Sequence, residues 1–252
     1  MKIFAISDLH LSFSSDKPMD VFGPEWEKHD EKIRDNWLRL VSPEDVIILP
    51  GDLSWGLKLK DAEADFQWVH RLPGRKLLFK GNHDRWWSTP TKLNALYEDM
   101  IFLQNNYYGA GDIAVCGTRG WKLPQTSQNW TSHDDKIYAR EQLRLRMSLE
   151  AARKDGYERI IVAMHYPPAE MKNSRNEFTE IIGEFEPELV IYGHLHGSYA
   201  RQFSFNGRIG ATDYRLVSCD YLGFVPILAA QTKESRGGIL CQEGKTCLRK
   251  DE

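Results

Sequence analysis

The sequence predicts an α/β protein of layered strands and helices, and three observations lead to that class. Apolar runs of three to five residues recur along the chain, rich in β-branched residues and bounded by turn formers, which is the pattern of strands buried on both faces. Amphipathic stretches long enough for helices separate them. After residue 197 the alternation gives way to consecutive strand-like segments.

Taken in order, the strand-like runs are Ile3–Ile6, Val46–Leu49, Leu77–Phe79, Ile160–Met164 and Leu189–Tyr192. A first helix places Trp26, Ile33, Trp37 and Val41 on one face, and a second runs from Leu59 to Leu72. A third opens at Thr89-Pro90, a pair suited to an N-cap and a first helical turn. A long helix carries the stripe Ala139, Leu143, Met147 and Ala151 and is ended by Gly156; a last one spans about Asn176 to Phe185. Further on, Ser198–Phe205, Ile209–Cys219 and Phe224–Ala229 read as strands, with Phe205-Asn206-Gly207-Arg208 as a hairpin turn. Ile239-Leu240-Cys241, Glu243-Gly244 and Thr246-Cys247-Leu248 form one more hairpin or a loose tail. Ser12–Pro24 and Gly117–Ser132 fit neither pattern and are read as surface loops or lids. With no repeat, low-complexity linker or boundary, residues 1–252 are read as one domain whose C-terminal strands and tail begin at about 198.

Composition limits the function classes. Hydrophobic residues make up 41% and charged residues 27%, as in ordinary soluble globular chains. A net charge of -3 argues against a surface built as a whole to hold nucleic acid. Cys116, Cys219, Cys241 and Cys247 lack the spacing of a disulfide framework or of a zinc or redox motif, so free thiols in a reducing compartment are expected. Asp8 interrupts the first apolar run before it reaches the ~7–15 residues of a signal core, and no stretch approaches the ~18 of a membrane span. A cytoplasmic protein without a membrane partner is the expectation; the oligomeric state is left open.

Chemistry is concentrated where the apolar runs end. Asp8 and His10 follow the first run, Gly51 and Asp52 the second, and Gly81-Asn82-His83-Asp84 the third. His165 follows the fourth, and Gly193, His194 and His196 the fifth. Ligands bind at the carboxyl ends of strands in open α/β sheets, and five of the eight histidines stand in these positions. Each fragment alone is compatible with a satisfied structural histidine or an ordinary Gly-Asp turn; all five in order are not, because such a polar cluster is costly without metal or substrate. Asp8, His10, Asp52, Asn82, His165, His194 and His196 are therefore the candidate ligands. Seven donors are too many for one tetrahedral ion and suit two divalent ions sharing a carboxylate, with Mn first and Fe, Zn, Co, Ni or Mg as alternatives.

The set Asp8-x-His10, Gly51-Asp52, Gly81-Asn82-His83-Asp84, His165 and Gly193-His194-x-His196 resembles the calcineurin-like metallophosphoesterase family. The resemblance implies a sandwich of two mixed β-sheets flanked by helices. It implies Asp8, His10 and His196 on one metal, Asn82, His165 and His194 on the other, and Asp52 bridging. It also implies attack on phosphorus by a hydroxide bridging the metals, with His83 contacting the phosphate and protonating the leaving oxygen. Asp84 would support that loop from behind, and Arg85 would contact phosphate or remain solvated. Family protein phosphatases resemble Gly-Asp-x-x-Asp-Arg-Gly and Gly-Asn-His-Glu. Here Gly51-Asp52-Leu53-Ser54-Trp55-Gly56 lacks the Arg and the second motif ends in Asp84, while His196 is similar to the phosphodiesterase and nuclease branches.

The expected substrate is accordingly a phosphodiester or nucleotide-like small molecule. Protein phosphatase, nuclease and non-catalytic scaffold are the alternatives, and a scaffold should have lost ligands that are all present here. Trp55, Trp86, Trp87, Trp121 and Trp130 could stack a ring, although packing is the commoner use of tryptophan. Arg140, Arg144, Arg146, Arg153 and Lys154 could track a nucleic-acid backbone, but Glu141 and Glu150 among them favour an ordinary helix face.

Overall fold

The computed structural model describes residues 1–125, 127–233 and 239–240. Its strands are β1 (Lys2–Ala5), β2 (Val46–Leu49), β3 (Arg75–Leu78), β4 (Met100–Phe102), β5 (Tyr108–Ala110) and β6 (Ile113–Thr118) in the first half. The second half holds β7 (Arg159–Met164), β8 (Leu189–Tyr192), β9 (Gly207–Ile209), β10 (Thr212–Leu216), β11 (Ile227–Gln231) and β12 (Ile239–Leu240). They form a five-stranded sheet, β11-β1-β2-β3-β4, and a seven-stranded sheet, β12-β5-β6-β7-β8-β10-β9. Both are mixed: β1 to β4 run parallel with β11 antiparallel to β1, and β6, β7, β8 and β10 run parallel between antiparallel edges.

The helices are α1 (His29–Leu40), α2 (Glu63–His70), α3 (Pro90–Leu93), α4 (Ser132–Lys154), α5 (Glu177–Phe185) and α6 (Gly197–Phe203). Strand periodicity explains how the layers stack. Ile3, Ala5, Val46, Ile48, Ile161, Ala163 and Ile191 point between the sheets into one apolar cluster. Their neighbours Phe4, Ile47 and Leu49 face outward with Ile33 and Trp37 of α1 and Phe66 of α2. Ile160, Val162 and Val190 face outward with Leu145 and Leu149 of α4 and Ile182 of α5. Coverage on both faces is why the central strands read as continuous apolar runs. Among the described residues, no helix is long and apolar enough to cross a membrane.

Several expectations need correction. Residues 198–205 are largely helical, in α6, and not a strand: β8 pairs parallel with β10, and a parallel return needs a crossover, which α6 occupies. The reversal lies at Gly210, with φ 60°, between antiparallel β9 and β10. Asn206 instead uses its side-chain oxygen to accept the Leu216 amide. On α4 the expected stripe is the wrong face, since Leu143 is 64% and Met147 47% exposed. The inward face mixes Ile137, Tyr138, Leu145 and Leu149 with buried Glu141 and Ser148, and those polar positions disguise it. Trp26 sits in a 3-10 turn ahead of α1, Leu59–Ala62 is a 3-10 turn ahead of α2, and the helix opened by Pro90 is a single turn in which Thr89 makes no side-chain cap. Gly117-Thr118 belong to β6 rather than to the following loop. β12 pairs with β5; Glu243-Gly244 and Thr246–Leu248 lie outside the described residues.

Candidate metal centre

The parallel strands of both sheets end at one edge, and the loops leaving β1, β2, β3, β7, β8 and β10 meet there. The turns are tight enough that Asp8, His10, Asp52 and His194 have φ of 60°, 47°, 53° and 74°, an uncommon region for side-chain-bearing residues that clusters at functional sites. Two glycines make the approach possible. A Cβ on Gly81 would fall 2.0 Å from Asp52 Oδ1, and one on Gly193 would fall 2.2 Å from Asp8 Oδ2. The glycines of Gly-Asn-His-Asp and Gly-His-x-His are therefore there because other site side chains occupy that space.

The structure brings all seven candidate ligands together. His10 Nε2 and His196 Nε2 stand 3.4 Å apart, and Asp8 Oδ1 is 3.5 Å from His196 Nε2. On the other side Asn82 Oδ1 lies 2.6 Å from His165 Nε2 and 2.8 Å from His194 Nδ1. Asp52 Oδ2 is between them, 4.0 Å from His10 Nε2 and 3.4 Å from His165 Nε2. Asp8, His10 and His196 offer ligand atoms within 4.8 Å of one another, and so do Asp8, Asp52 and His165.

Proton placement tests whether these residues fit cations. His165 Nδ1 is 3.0 Å from the Pro50 carbonyl, which accepts its proton. The Nε2 lone pair then points at the Asn82 oxygen, an arrangement of two acceptors that a cation between them resolves. His196 Nδ1 likewise faces Asp220 Oδ1 at 2.8 Å, turning Nε2 toward Asp8 and His10. Protein charges alone are poorly balanced. Burial and the charges of Asp84 and Asp8 push the Asp52 carboxyl well up. Burial likewise opposes ionisation of Asp8, but His196, His165 and His10 outweigh it and hold that carboxyl well below its ordinary range. For His196, burial is outweighed by Asp220 and Asp8, which raise it to about 10. A set of carboxylate, amide and imidazole donors in this imbalance fits hard or borderline divalent ions.

His83, Asp84 and Arg85 occupy three different environments. The His83 ring is partly exposed, 4.3 Å from the Trp55 ring and 5.6 Å from that of His10, with Nε2 4.0 Å from Asp52 Oδ2. Burial, with Arg85 among the lesser contributors, lowers its pKa from 6.5. Asp84 is buried, and its oxygens accept the amides of Gly81, Asp52, Leu53 and Ser54. It ties two loops together and has no hydrogen bond to the His83 ring among the described residues. The Arg85 side chain is exposed and makes no side-chain hydrogen bond among the described residues.

A cleft of about 430 Å³ opens over the centre, lined by His10, His83 and His196 and by Met19, Phe22, Trp26, Trp55 and Tyr199. Met19 and Phe22 place part of the 12–24 segment at its rim. Of the tryptophans singled out from sequence, Trp55 lines the cleft, stacked on His10 at 4.9 Å, whereas Trp86 is buried against Phe66 and Phe102. Other participants carry no site assignment from the sequence: Trp26, expected on a helix face, lines the cleft, Ser218 donates to Asp8 Oδ2 at 3.1 Å, and Asp220 orients His196. Both of the last two follow β10, so the strand-end rule that located the ligands would have found them at a sixth strand.

Comparison with known proteins decides the family. The model of calcineurin-like phosphoesterases matches residues 1–198 of the chain. The chain belongs to that family. As a calcineurin-like phosphoesterase it is a metal-dependent phosphoric ester hydrolase. It is similar to the Gene 66 protein of Mycobacterium phage D29, with 25% identity over 207 residues, 82% of this chain and 84% of the relative. Phosphopantetheinyl hydrolase from Mycobacterium tuberculosis has a similar structure, with TM-score 0.50 and 12% identity over 91% of this chain and 96% of that one. The protein TT1561 of Thermus thermophilus gives TM-score 0.50 and 16% identity over 80% and 86%. These structural likenesses show the shared fold.

Proposed function

We propose that this phosphoesterase hydrolyses a phosphodiester or nucleotide-like small molecule in the cytoplasm, using two divalent ions with Mn as the first candidate. The observation that carries the reading is Asp52 Oδ2, set between a donor group of Asp8, His10 and His196 and one of Asn82, His165 and His194. When bound, two such ions supply Lewis acidity toward phosphate and a water acidic enough to attack phosphorus near neutral pH.

The chain's own residues do the rest. Pro50 and Asp220 fix the ring orientation of His165 and His196. Asp84 holds the Asp52 and Asn82 loops in one register and acts through them as a positioning residue. His83, propped by Trp55 at the cleft mouth, is placed to hydrogen-bond a phosphate oxygen and to hand its proton to the departing oxygen. The apolar and aromatic wall of Met19, Phe22, Trp26, Trp55 and Tyr199 suits an organic group on the ester better than a solvated peptide backbone. Two of the basic residues of α4 are engaged within the fold, Arg146 with Glu184 at 2.6 Å and Arg153 with the Tyr157 carbonyl at 2.9 Å, which breaks up a continuous nucleic-acid track along the helix.

The test is protein stripped with chelator, reloaded with Mn²⁺, and assayed on bis(p-nitrophenyl) phosphate and a phosphoserine peptide while bound ions are counted. Two ions per chain and a higher kcat/KM on the diester are expected. Preference for the phosphopeptide would overturn the substrate class, and at most one ion after loading would overturn the dinuclear reading.

A further inference from the structure

A second cavity, of about 300 Å³, lies on the same edge of the sandwich beyond the ends of β3, β4 and β6, with α4 as one wall. Lys80, Arg119, Arg140 and Arg144 line it together with a single carboxylate, Glu141. Glu141 is fully buried and committed: Oε2 accepts from Thr118 Oγ1 at 2.5 Å, while Oε1 meets Arg140 at 3.1 Å and Arg144 at 2.8 Å. Lys80 and Arg119 make no side-chain hydrogen bond or ion pair among the described residues. Arg119 Nε is buried without an acceptor, and the guanidinium rests on the Trp121 ring at 4.6 Å.

Four cations around one saturated carboxylate repel one another, and the partial burial of Lys80, Arg119 and Arg144 removes water that would screen them. Partly buried cations are ordinarily paired, and guanidinium groups match oxyanions through forked hydrogen bonds. The charge and donor set of this pocket are complementary to an anion. We propose that it is a binding site for a phosphate group, distinct from the metal centre.

The multiple positive charges match a polyvalent oxyanion better than a carboxylate. The pocket borders the loops that carry the candidate ligands. Lys80 runs directly into Gly81-Asn82, and the Arg119 carbonyl accepts the amides of His165 and Tyr166 at 3.1 and 2.9 Å. The occupant is therefore either a second phosphate on the substrate or a separate phosphate-bearing ligand.

The experiment titrates chelator-treated protein with inorganic phosphate and with pyrophosphate, read by calorimetry and by tryptophan fluorescence, since Trp87 lines the pocket. Chelation removes the ions through which the metal centre would hold phosphate, so this result stands whatever the substrate proves to be. Saturable binding that weakens with salt is expected, with a loss of about tenfold or more in Lys80→Gln and in Arg140→Gln. The Arg140 side chain is 48% exposed, so its variant leaves the core intact and carries the test if Lys80→Gln does not fold. No saturable binding by the wild-type chain, or equal affinity in every folded variant, overturns the proposal. A rise in KM confined to substrates with a second phosphate identifies the substrate as the source. Phosphate binding with unchanged KM identifies a separate ligand.

Discussion

Replacing Asp84 by Asn should disturb both halves of the centre without replacing a candidate ligand. The carboxylate is 1% exposed. Its Oδ2 accepts Gly81 N at 2.7 Å and Asp52 N at 2.9 Å, while Oδ1 accepts Leu53 N at 3.0 Å and Ser54 N at 3.4 Å. Asparagine preserves the shape, but however its amide is turned, the NH₂ end faces two backbone N–H donors. Hydrogen bonds to a charged acceptor contribute about 1.5–3 kcal/mol each, and stranded buried donors cost a similar amount. Against that, burial of the carboxylate is itself unfavourable and raises its pKa to about 6. Two lost bonds of about 3–6 kcal/mol together, offset by about 3 kcal/mol of relieved burial, leave a net destabilisation of at most about 3 kcal/mol. In a chain of this length that corresponds to a melting temperature lower by up to about 12 °C. Because the amides belong to both the Asp52 loop and the Asn82 loop, metal content should fall at both sites together. Thermal unfolding by circular dichroism and elemental analysis of reloaded protein are the two measurements. A variant that keeps both ions after reloading would refute the role assigned to this carboxylate.

Other substitutions separate the remaining roles. Asp52→Asn should weaken both metal sites together, whereas His10→Ala should mainly weaken one, as counted by elemental analysis after loading. Asp220→Asn should lower metal affinity at the His196 side by about 10–100-fold while the Asn82 side holds, and equal losses at both would reject Asp220 as the residue that orients His196. His83→Ala should keep both metals and lose about 10²–10⁴-fold in kcat/KM on alkyl phosphoesters, less on p-nitrophenyl esters that depart without a proton. Equal losses on the two ester types would leave His83 as an electrostatic contact only. Gly193→Ala, whose methyl would meet Asp8 Oδ2 at 2.2 Å, should fold with reduced metal content; unchanged loading would show that the loop relaxes freely.

The parts of the fold that were legible are those where local pattern and tertiary burial agree. β1, β2, β3, β7 and β8 lie within a residue or two of their apolar runs, because strands covered on both faces need apolar residues at every position. The helix Glu177–Phe185 begins after Asn176, whose side chain accepts the amides of Phe178 and Thr179. β4, β5 and β6 were not recognised, although β6 is central to its sheet. Two of them have only three residues, and β6 reads Ile-Ala-Val-Cys-Gly-Thr, too mixed to stand out from the loop around it. Gly117 is required there for packing: a Cβ would meet the Ala163 carbonyl at 1.9 Å. Helix α4 was misphased for a related reason, since Glu141 and Ser148 are buried for hydrogen bonds to other elements.

The candidate site was legible for a chemical reason. Side chains that ligate hard or borderline divalent ions are drawn mainly from carboxylates, amides and imidazoles, so the choice of residue is narrow and its place after a strand is visible. The next layer is less constrained, because any acceptor can hold an imidazole proton. His196 uses the side chain of Asp220, which could have been found one step beyond β10, but His165 uses the backbone carbonyl of Pro50. A carbonyl belongs to every residue and leaves no trace in a sequence. The same reasoning explains why Asp84 was visible as a motif residue while its work was not. Its partners are four backbone amides, those of Gly81 and of Asp52 to Ser54, and only folding brings the Asp52 loop to it.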